Sequence, residues 1–193
     1  MREVLEEAQE RVRKIIEEKN PNLQNKEKIS ESVALGALVF NDLSTDRIKD
    51  IDFNFEEILD FEGDTGPYLQ YTYARASSII RQAKKQEYFS AKNLPETIPE
   101  SLSTENTAIT LMKAFAELKT TTENAVRHNK PSFIANYALD LAKLFNAFYR
   151  SVRVLDPSVS KNQIEERLAI VDAARFVLRN SMNLLCIPHP DEM

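Results

Sequence analysis

Apolar residues recur every three or four positions along most of this chain, which is the spacing of helices that bury one face. The pattern predicts a first helix over residues 4–19, ended by Asn20 and Pro21, and a second that begins near Lys26. The second helix ends in the run VALGALVF, which is apolar enough to be buried on more than one side. We therefore expect this run to pack against a partner surface.

A third helix is predicted to begin within the segment FEGDTGPYLQYTYAR and to continue to about Gln86. The features that suit this start are Gly63 and Gly66 for a tight turn, Asp64 or Thr65 as the cap, and Pro67 at the first helical position, where a missing N–H costs nothing. Just upstream, Ile51, Phe53 and Phe55 alternate with polar residues, which favours a short extended piece.

The second half of the chain predicts three further amphipathic helices. They run from a cap at Ser103 or Thr104 to about Ala125, over residues 131–155 with a stop at Asp156 and Pro157, and over residues 162–185. Residues 87–103 contain two prolines and indicate a connecting loop, and the tail IPHPDEM is expected to be non-helical.

Together these elements predict an all-α fold. The helices from residue 67 onward form an antiparallel helical bundle, and the earlier helices form an N-terminal helical appendage. The corresponding domain boundaries are 1–60 for the appendage and 61–193 for the bundle. A chain of 193 residues is long enough for one such domain with a smaller addition.

Composition excludes several kinds of site. The three glycines cannot form a G-x-G-x-x-G turn or a phosphate-binding P-loop. His128 and His189 fall in no metal-ligand or base-catalysis pattern, so neither a metal nor a catalytic residue is expected. Cys186 has no partner for a disulfide and lies in an apolar run, so we expect it to be a small buried residue.

Charge is distributed unevenly, although the net charge is −5. Residues 1–64 carry 9 lysines and arginines against 17 acidic residues, whereas residues 127–179 carry 9 against 5. The basic part can hold a polyanion while the acidic part faces solvent or another protein, although ordinary solvated helix faces would give the same counts. No run of about 18 apolar residues and no signal peptide occurs, so we expect a cytoplasmic protein without a membrane partner.

Three side chains on the third helix form the most specific local pattern. Tyr68, Tyr71 and Arg75 are spaced i, i+3 and i+7, which places two phenol rings and a guanidinium along one helical face. Such a face is suited to stacking on unpaired bases, but core packing with satisfied hydroxyl groups would use the same spacing.

A longer succession of segments resembles a known family. The segment from VALGALVF through FEGDTGPYLQYTYARASSII resembles the part of class I arginyl-tRNA synthetases that leads into the anticodon-binding domain. PSFIANYALDLAKLFNAFYRSVRVL and RLAIVDAARFVLRNSMNLLCIPHPDEM are similar to that domain's later helices and its ending. The resemblance covers residues 30–193, but the family's HIGH-type and KMSKS-like motifs are missing, a glycine is common where this chain has Cys186, and residues 87–103 match no pattern of the family.

The resemblance implies a tRNA-binding segment of an arginyl-tRNA synthetase, whose full-length form ligates arginine to its tRNA using ATP in protein biosynthesis. ATP and Mg²⁺ would belong to the full-length enzyme, and this segment alone would hold no cofactor and be catalytically inactive. Residues 1–60 would be a remnant of the catalytic-domain stem, and residues 61–193 the anticodon-binding bundle. The expected partners are the anticodon stem-loop of arginine tRNA and the remainder of the synthetase chain, with the protein a monomer.

The resemblance also implies which residues contact RNA. Tyr68 and Tyr71 match positions in the family's anticodon-contacting helix, Arg75 continues that face, and Met193 matches the terminal methionine near the anticodon. The charge distribution alone adds three candidates for phosphate contacts, which are Arg150, Arg153 and Arg179.

A second hypothesis is a stand-alone helical adaptor that binds a protein through the apolar surface of VALGALVF. Salt distinguishes the two, because phosphate binding releases counterions and weakens as salt rises, whereas an apolar interface is less sensitive.

Overall fold

The computed structural model describes residues 2–46, 48–49, 53–88, 102 and 105–193, and within these ranges the chain forms seven α-helices and no strands. The helices are α1 (Arg2–Lys19), α2 (Lys26–Ser44), α3 (Phe55–Ile58), α4 (Gly66–Lys85), α5 (Asn106–His128), α6 (Ser132–Ser151) and α7 (Lys161–Leu184). The all-α prediction is confirmed.

Helices α4 to α7 form the bundle. α4 packs on α7, α5 packs on α6, and α6 also contacts α7 and α4. Each helix contributes fully buried side chains to one continuous core, including Leu69, Leu111, Phe145, Phe148 and Leu168. The predicted bundle is therefore present. Each helix buries one apolar stripe, and such a stripe produces the 3.6-residue pattern in the sequence.

A second, smaller core lies between α1 and α2 and extends to α3. It contains Ala8 and Val12 of α1 and Val33 and Ala34 of α2, all of them inaccessible to solvent. α2 also contacts α4 and α6, and its Phe40 belongs to the bundle core. The run VALGALVF therefore packs within the chain itself, against α1 on one side and against the bundle on the other. Only Leu35 of this run is exposed, at 37%.

Two glycines allow α2 and α4 to cross at close range. A Cβ at Gly66 would lie 2.2 Å from the carbonyl oxygen of Gly36, and a Cβ at Gly36 would lie 2.5 Å from the side chain of Gln70. The Thr65 N–H donates to the carbonyl of Gly63 at 3.0 Å, so a tight turn precedes α4 as predicted, although no glycine has positive φ among the residues with described structure. Gly66 is needed for backbone approach.

Several predicted helix ends differ from the observed ends. α4 begins at Gly66, so Pro67 is its second residue, while Thr65 is the cap and its Oγ1 accepts from the Tyr68 N–H at 3.2 Å. α6 ends at Ser151 and not at Asp156, because Val152 and Val154 are buried from a non-helical segment.

The other predicted boundaries fall partly on residues without described structure. Phe55 starts the short helix α3 instead of continuing an extended piece, and Ile51 lies outside the described residues. The predicted caps Ser103 and Thr104, and residues 89–101 of the predicted loop, also lie outside them.

Cys186 is exposed, which corrects the prediction of a buried thiol. It follows the end of α7 with a φ of 57°, in the left-handed region. Its N–H donates to the carbonyl of Asn183 at 3.1 Å, and the N–H of Ile187 donates to the carbonyl of Met182 at 2.9 Å. These two bonds form a Schellman motif, in which the residue at this position points outward and is most often glycine.

Within the described ranges, no helix has the length and apolar character required to cross a membrane.

Candidate nucleic-acid interface

A cleft of about 770 Å³ lies between α1, the first half of α4, the C-terminal part of α6 and the C-terminal residue. We call it the tyrosine cleft. It is lined by Ile15, Ile16, Lys19, Asn20, Phe61, Glu62, Tyr68, Tyr71, Arg75, Asn146, Arg150 and Met193. The spacing of the α4 residues places Tyr68, Tyr71 and Arg75 on the face that forms one wall, as the sequence predicted.

Arg75 lies between two tyrosine rings. Its guanidinium carbon is 4.8 Å from the centroid of the Tyr71 ring and 5.4 Å from that of Tyr149. Tyr71 and Tyr149 are each 40% exposed, so both rings are held by a cation and remain accessible. Arg75 contacts one face of the Tyr71 ring, and the ring keeps enough exposed surface to contact a ligand.

Asn146 connects the two walls of the cleft. Its Oδ1 accepts from Arg75 Nη1 at 2.6 Å, and its Nδ2 donates to the hydroxyl of Tyr68 at 2.9 Å and to Thr72 Oγ1 at 3.0 Å. Asn146 is only 7% exposed and Thr72 is fully buried. These hydrogen bonds therefore hold the side chains of Arg75 and Tyr68 in place from the buried side of the cleft before any ligand binds.

The C-terminal tail is attached to α4 on its way to the cleft. Gln70 Nε2 donates to the carbonyl of Pro188 at 2.7 Å, and the Tyr73 hydroxyl donates to Asp191 Oδ1 at 3.1 Å. Burial raises the pKa of Tyr73 above its ordinary value, so the hydroxyl keeps its proton for this bond. Arg81 donates to the carbonyl of Asp191 at 2.9 Å.

Met193 completes the cleft at the end of this tail. Its side chain packs on the core between α1 and α2, and its backbone carbonyl accepts from Asn20 Nδ2 at 3.4 Å. Asn20 and Met193, which are 173 positions apart in the chain, therefore lie side by side in the cleft.

The side chains that line the cleft carry three cations, Lys19, Arg75 and Arg150, and one carboxylate, Glu62. Helix α1 as a whole carries six glutamates against five lysines and arginines, so it adds no net positive charge around the cleft. A local excess of cations beside accessible aromatic rings is suited to a flexible polyanion with planar groups.

Five of the seven predicted RNA contacts line the cleft, and two do not. Tyr68, Tyr71, Arg75, Arg150 and Met193 line it. Arg153 lies with Arg150 beside a separate concavity of about 380 Å³. Arg179 lies on α7 with its guanidinium carbon 5.4 Å from the ring centroid of Phe176, outside the tyrosine cleft.

Sequence reasoning missed Asn146, Lys19 and Tyr149. Asn146 is a polar residue in the apolar stripe of α6, and a polar residue at a buried helical position was a usable signal. Lys19 belongs to α1, and no local pattern connects that helix to α4. No group of three or more histidine, cysteine or acidic side chains suited to a metal occurs where side chains are described.

Comparison with known families divides the chain into two matches. Residues 69–193 match the DALR anticodon binding domain, and residues 1–55 match the catalytic domain of class I tRNA synthetases (R).

Individual relatives agree with these matches. The chain is 45% identical over 191 residues to the arginine–tRNA ligase of Lactobacillus johnsonii, an alignment that covers 99% of this chain and 32% of the relative. It is 44% identical over 193 residues to that of Ligilactobacillus salivarius, which covers 100% of this chain and again 32% of the relative.

The fold also matches a solved structure, the arginyl-tRNA synthetase of Thermus thermophilus, with a TM-score of 0.84 and 36% identity over 99% of this chain and 32% of that one. The chain thus spans about a third of the length of the relatives it matches. The match over residues 69–193 includes α5, α6, α7 and nearly all of α4. The chain belongs to the DALR anticodon binding domain family.

Proposed function

We propose that this chain is the anticodon-binding part of an arginine–tRNA ligase, and that the tyrosine cleft receives unstacked nucleotides of the anticodon loop. The observation that carries the proposal is the position of Tyr71, an exposed ring backed by Arg75 in a locally cationic cleft. Family membership supports the kind of ligand, and the names of the relatives support arginine tRNA as its source.

The cleft has the chemistry that single-stranded RNA requires. Loop bases are recognised by stacking on aromatic rings and by hydrogen bonds to their edges, while basic side chains hold the phosphates. Tyr71 offers an exposed aromatic ring, and Arg75 and Arg150 offer N–H donors. Arg153 and Arg179 remain candidates only for RNA backbone that extends beyond the cleft.

The proposal assigns a division of labour to the whole enzyme. Residues 1–60 act as the end of the catalytic-domain stem, and residues 61–193 hold the anticodon stem-loop so that the acceptor end of the tRNA reaches a distant active site. Arginine, ATP and tRNA would react in that remaining part of the protein to give arginyl-tRNA, AMP and pyrophosphate. The segment itself would be an inactive, cytoplasmic monomer that contributes binding.

Replacing Tyr71 tests the proposal at its central contact. Tyr71→Ala should weaken binding of the arginine-tRNA anticodon stem-loop by about tenfold or more, since base stacking on an aromatic ring is worth about 1–3 kcal/mol. The measurement is a fluorescence titration of the chain with labelled stem-loop.

Phe133→Ala is the matched control, because Phe133 is also a ring with 40% exposure but does not line the cleft. It should leave the affinity unchanged. Equal affinities for the wild type and Tyr71→Ala would contradict an anticodon site in this cleft.

A further inference from the structure

The amide of Asn146 has only one possible orientation. A guanidinium donates hydrogen bonds and cannot accept them, so the atom 2.6 Å from Arg75 Nη1 must be the oxygen of the amide. The NH₂ group then faces the hydroxyl of Tyr68 at 2.9 Å and that of Thr72 at 3.0 Å. Arg75 therefore sets the orientation of the Asn146 amide. That orientation in turn makes the hydroxyl oxygens of Tyr68 and Thr72 hydrogen-bond acceptors from the amide NH₂ group.

The Tyr68 oxygen accepts a hydrogen bond from Asn146, which leaves its own proton to be donated elsewhere. Among the residues with described structure, the Tyr68 hydroxyl donates its proton to no hydrogen-bond acceptor. Tyr68 is half-buried and lines the tyrosine cleft, so its hydroxyl proton is available to a ligand there.

We propose that Asn146 is a positioning residue which makes the Tyr68 hydroxyl a hydrogen-bond donor to an acceptor atom of the bound RNA. The inference rests on the proposed function. It adds that, in the contact between Tyr68 and the RNA, the protein is the donor and the RNA the acceptor. Together with Arg75, the Tyr68 hydroxyl then presents hydrogen-bond donors to the cleft. The complementary group is a carbonyl oxygen or ring nitrogen of a base edge, or a phosphate oxygen.

Asn146→Asp reverses the polarity with almost no change in shape. The carboxylate keeps the acceptor for Arg75 but has no N–H, so the Tyr68 proton turns toward it and away from the ligand. The new charge also weakens binding of phosphates, and this second effect does not depend on the Tyr68 hydroxyl.

A double-mutant cycle with Tyr68→Phe separates the two effects. Affinity for the arginine-tRNA anticodon stem-loop is titrated for the wild type, for each single variant and for the double variant, with a melting curve for each. Asn146→Asp should cost at least about fivefold more affinity when the Tyr68 hydroxyl is present than when it is absent, as expected for one directed hydrogen bond. An equal cost in both backgrounds would overturn the inference, since a purely structural or electrostatic role gives that result.

Repeating the cycle with a second stem-loop shows whether the acceptor atom belongs to a base or to a phosphate. If it is a base edge, the coupling should disappear for a stem-loop whose middle anticodon base is changed. If it is a phosphate oxygen, the coupling should be the same for both loops. Either result supports a donor role for Tyr68.

Failure of the proposed function has a different signature. A wild-type protein that shows no preference for the arginine loop would overturn that function and this inference with it. A preference combined with additive effects would overturn the inference alone. Should Asn146→Asp prevent folding, Tyr68→Phe by itself decides, because wild-type affinity without the hydroxyl would overturn the donor role.

Discussion

Cys186 occupies a backbone position that a residue with a Cβ adopts at a cost. With a φ of 57° it closes the Schellman motif at the end of α7, and the left-handed region costs an L-residue roughly 1–2 kcal/mol. The sequence indicated an apolar run and hence burial, but α7 ends at Leu184, and in the turn that follows Leu185 and Ile187 are buried while Cys186 is exposed.

Cys186→Gly should therefore stabilise the protein by about 1 kcal/mol, because glycine adopts positive φ without a steric penalty. The measurement is the free energy of unfolding from urea denaturation. Cys186→Ser keeps a Cβ at the same site and should give no gain. An equal gain for serine would show that removal of the thiol, and not relief of the backbone, is responsible.

Tyr137 gives the fold a pH dependence at alkaline pH. Burial raises its pKa to about 12, and its hydroxyl donates to the carbonyl of Ala114 at 2.8 Å. Between pH 10 and 12 the unfolded chain has lost this proton while the folded chain retains it. The folded state then binds more protons, so stability falls as pH rises through this window.

The share of that loss due to Tyr137 should be up to about 2 kcal/mol and should vanish in Tyr137→Phe. Urea denaturation at pH 9 and pH 11.5 measures it for both proteins. The variant should be less stable at pH 9, because the hydrogen bond from the Tyr137 hydroxyl to the Ala114 carbonyl is lost, but should lose less stability on going to the higher pH. Parallel losses would contradict the assignment to Tyr137.

At the scale of elements, periodicity predicted the existence of the long helices but not all of their ends. In the segment after α6, Val152 and Val154 are buried while Arg153 is exposed, which is the alternation of an extended chain. Read as a continuation of the helix, the same apolar residues gave an end near Asp156. The crossing of α2 and α4 was also missed, since a close approach at Gly36 and Gly66 leaves no local signature other than glycine itself.

Gly66→Ala should destabilise the protein by about 2 kcal/mol or more, because its Cβ would lie 2.2 Å from the backbone carbonyl oxygen of Gly36 and the two helices would have to separate. Gly63→Ala is the control. Its Cβ would meet only the flexible side chain of Asp60 at 3.0 Å, so its cost should be well below that of Gly66→Ala. Thermal unfolding of both variants measures this, and equal melting temperatures would contradict the helix-crossing role.

At the scale of the whole molecule, the tyrosine cleft joins side chains from α1, α4, α6 and the C-terminus. The α4 face was predictable because its three residues share one helix. Resemblance to a family pointed to Met193, and charge counting found Arg150 but also Arg153 and Arg179, which lie elsewhere. Charge along a chain does not determine which cations meet in space, and Lys19 could be found only once α1 was packed against α2.

An anticodon-binding function requires that this cleft discriminate between anticodons. The decisive measurement is a fluorescence titration of the wild-type chain with the arginine-tRNA anticodon stem-loop and with one whose middle anticodon base is changed, at low and moderate salt. We expect tighter binding of the arginine loop at both salt concentrations, and weaker binding of both loops as salt rises because counterions are released. Equal affinity for the two loops at each salt concentration would contradict an anticodon-reading cleft.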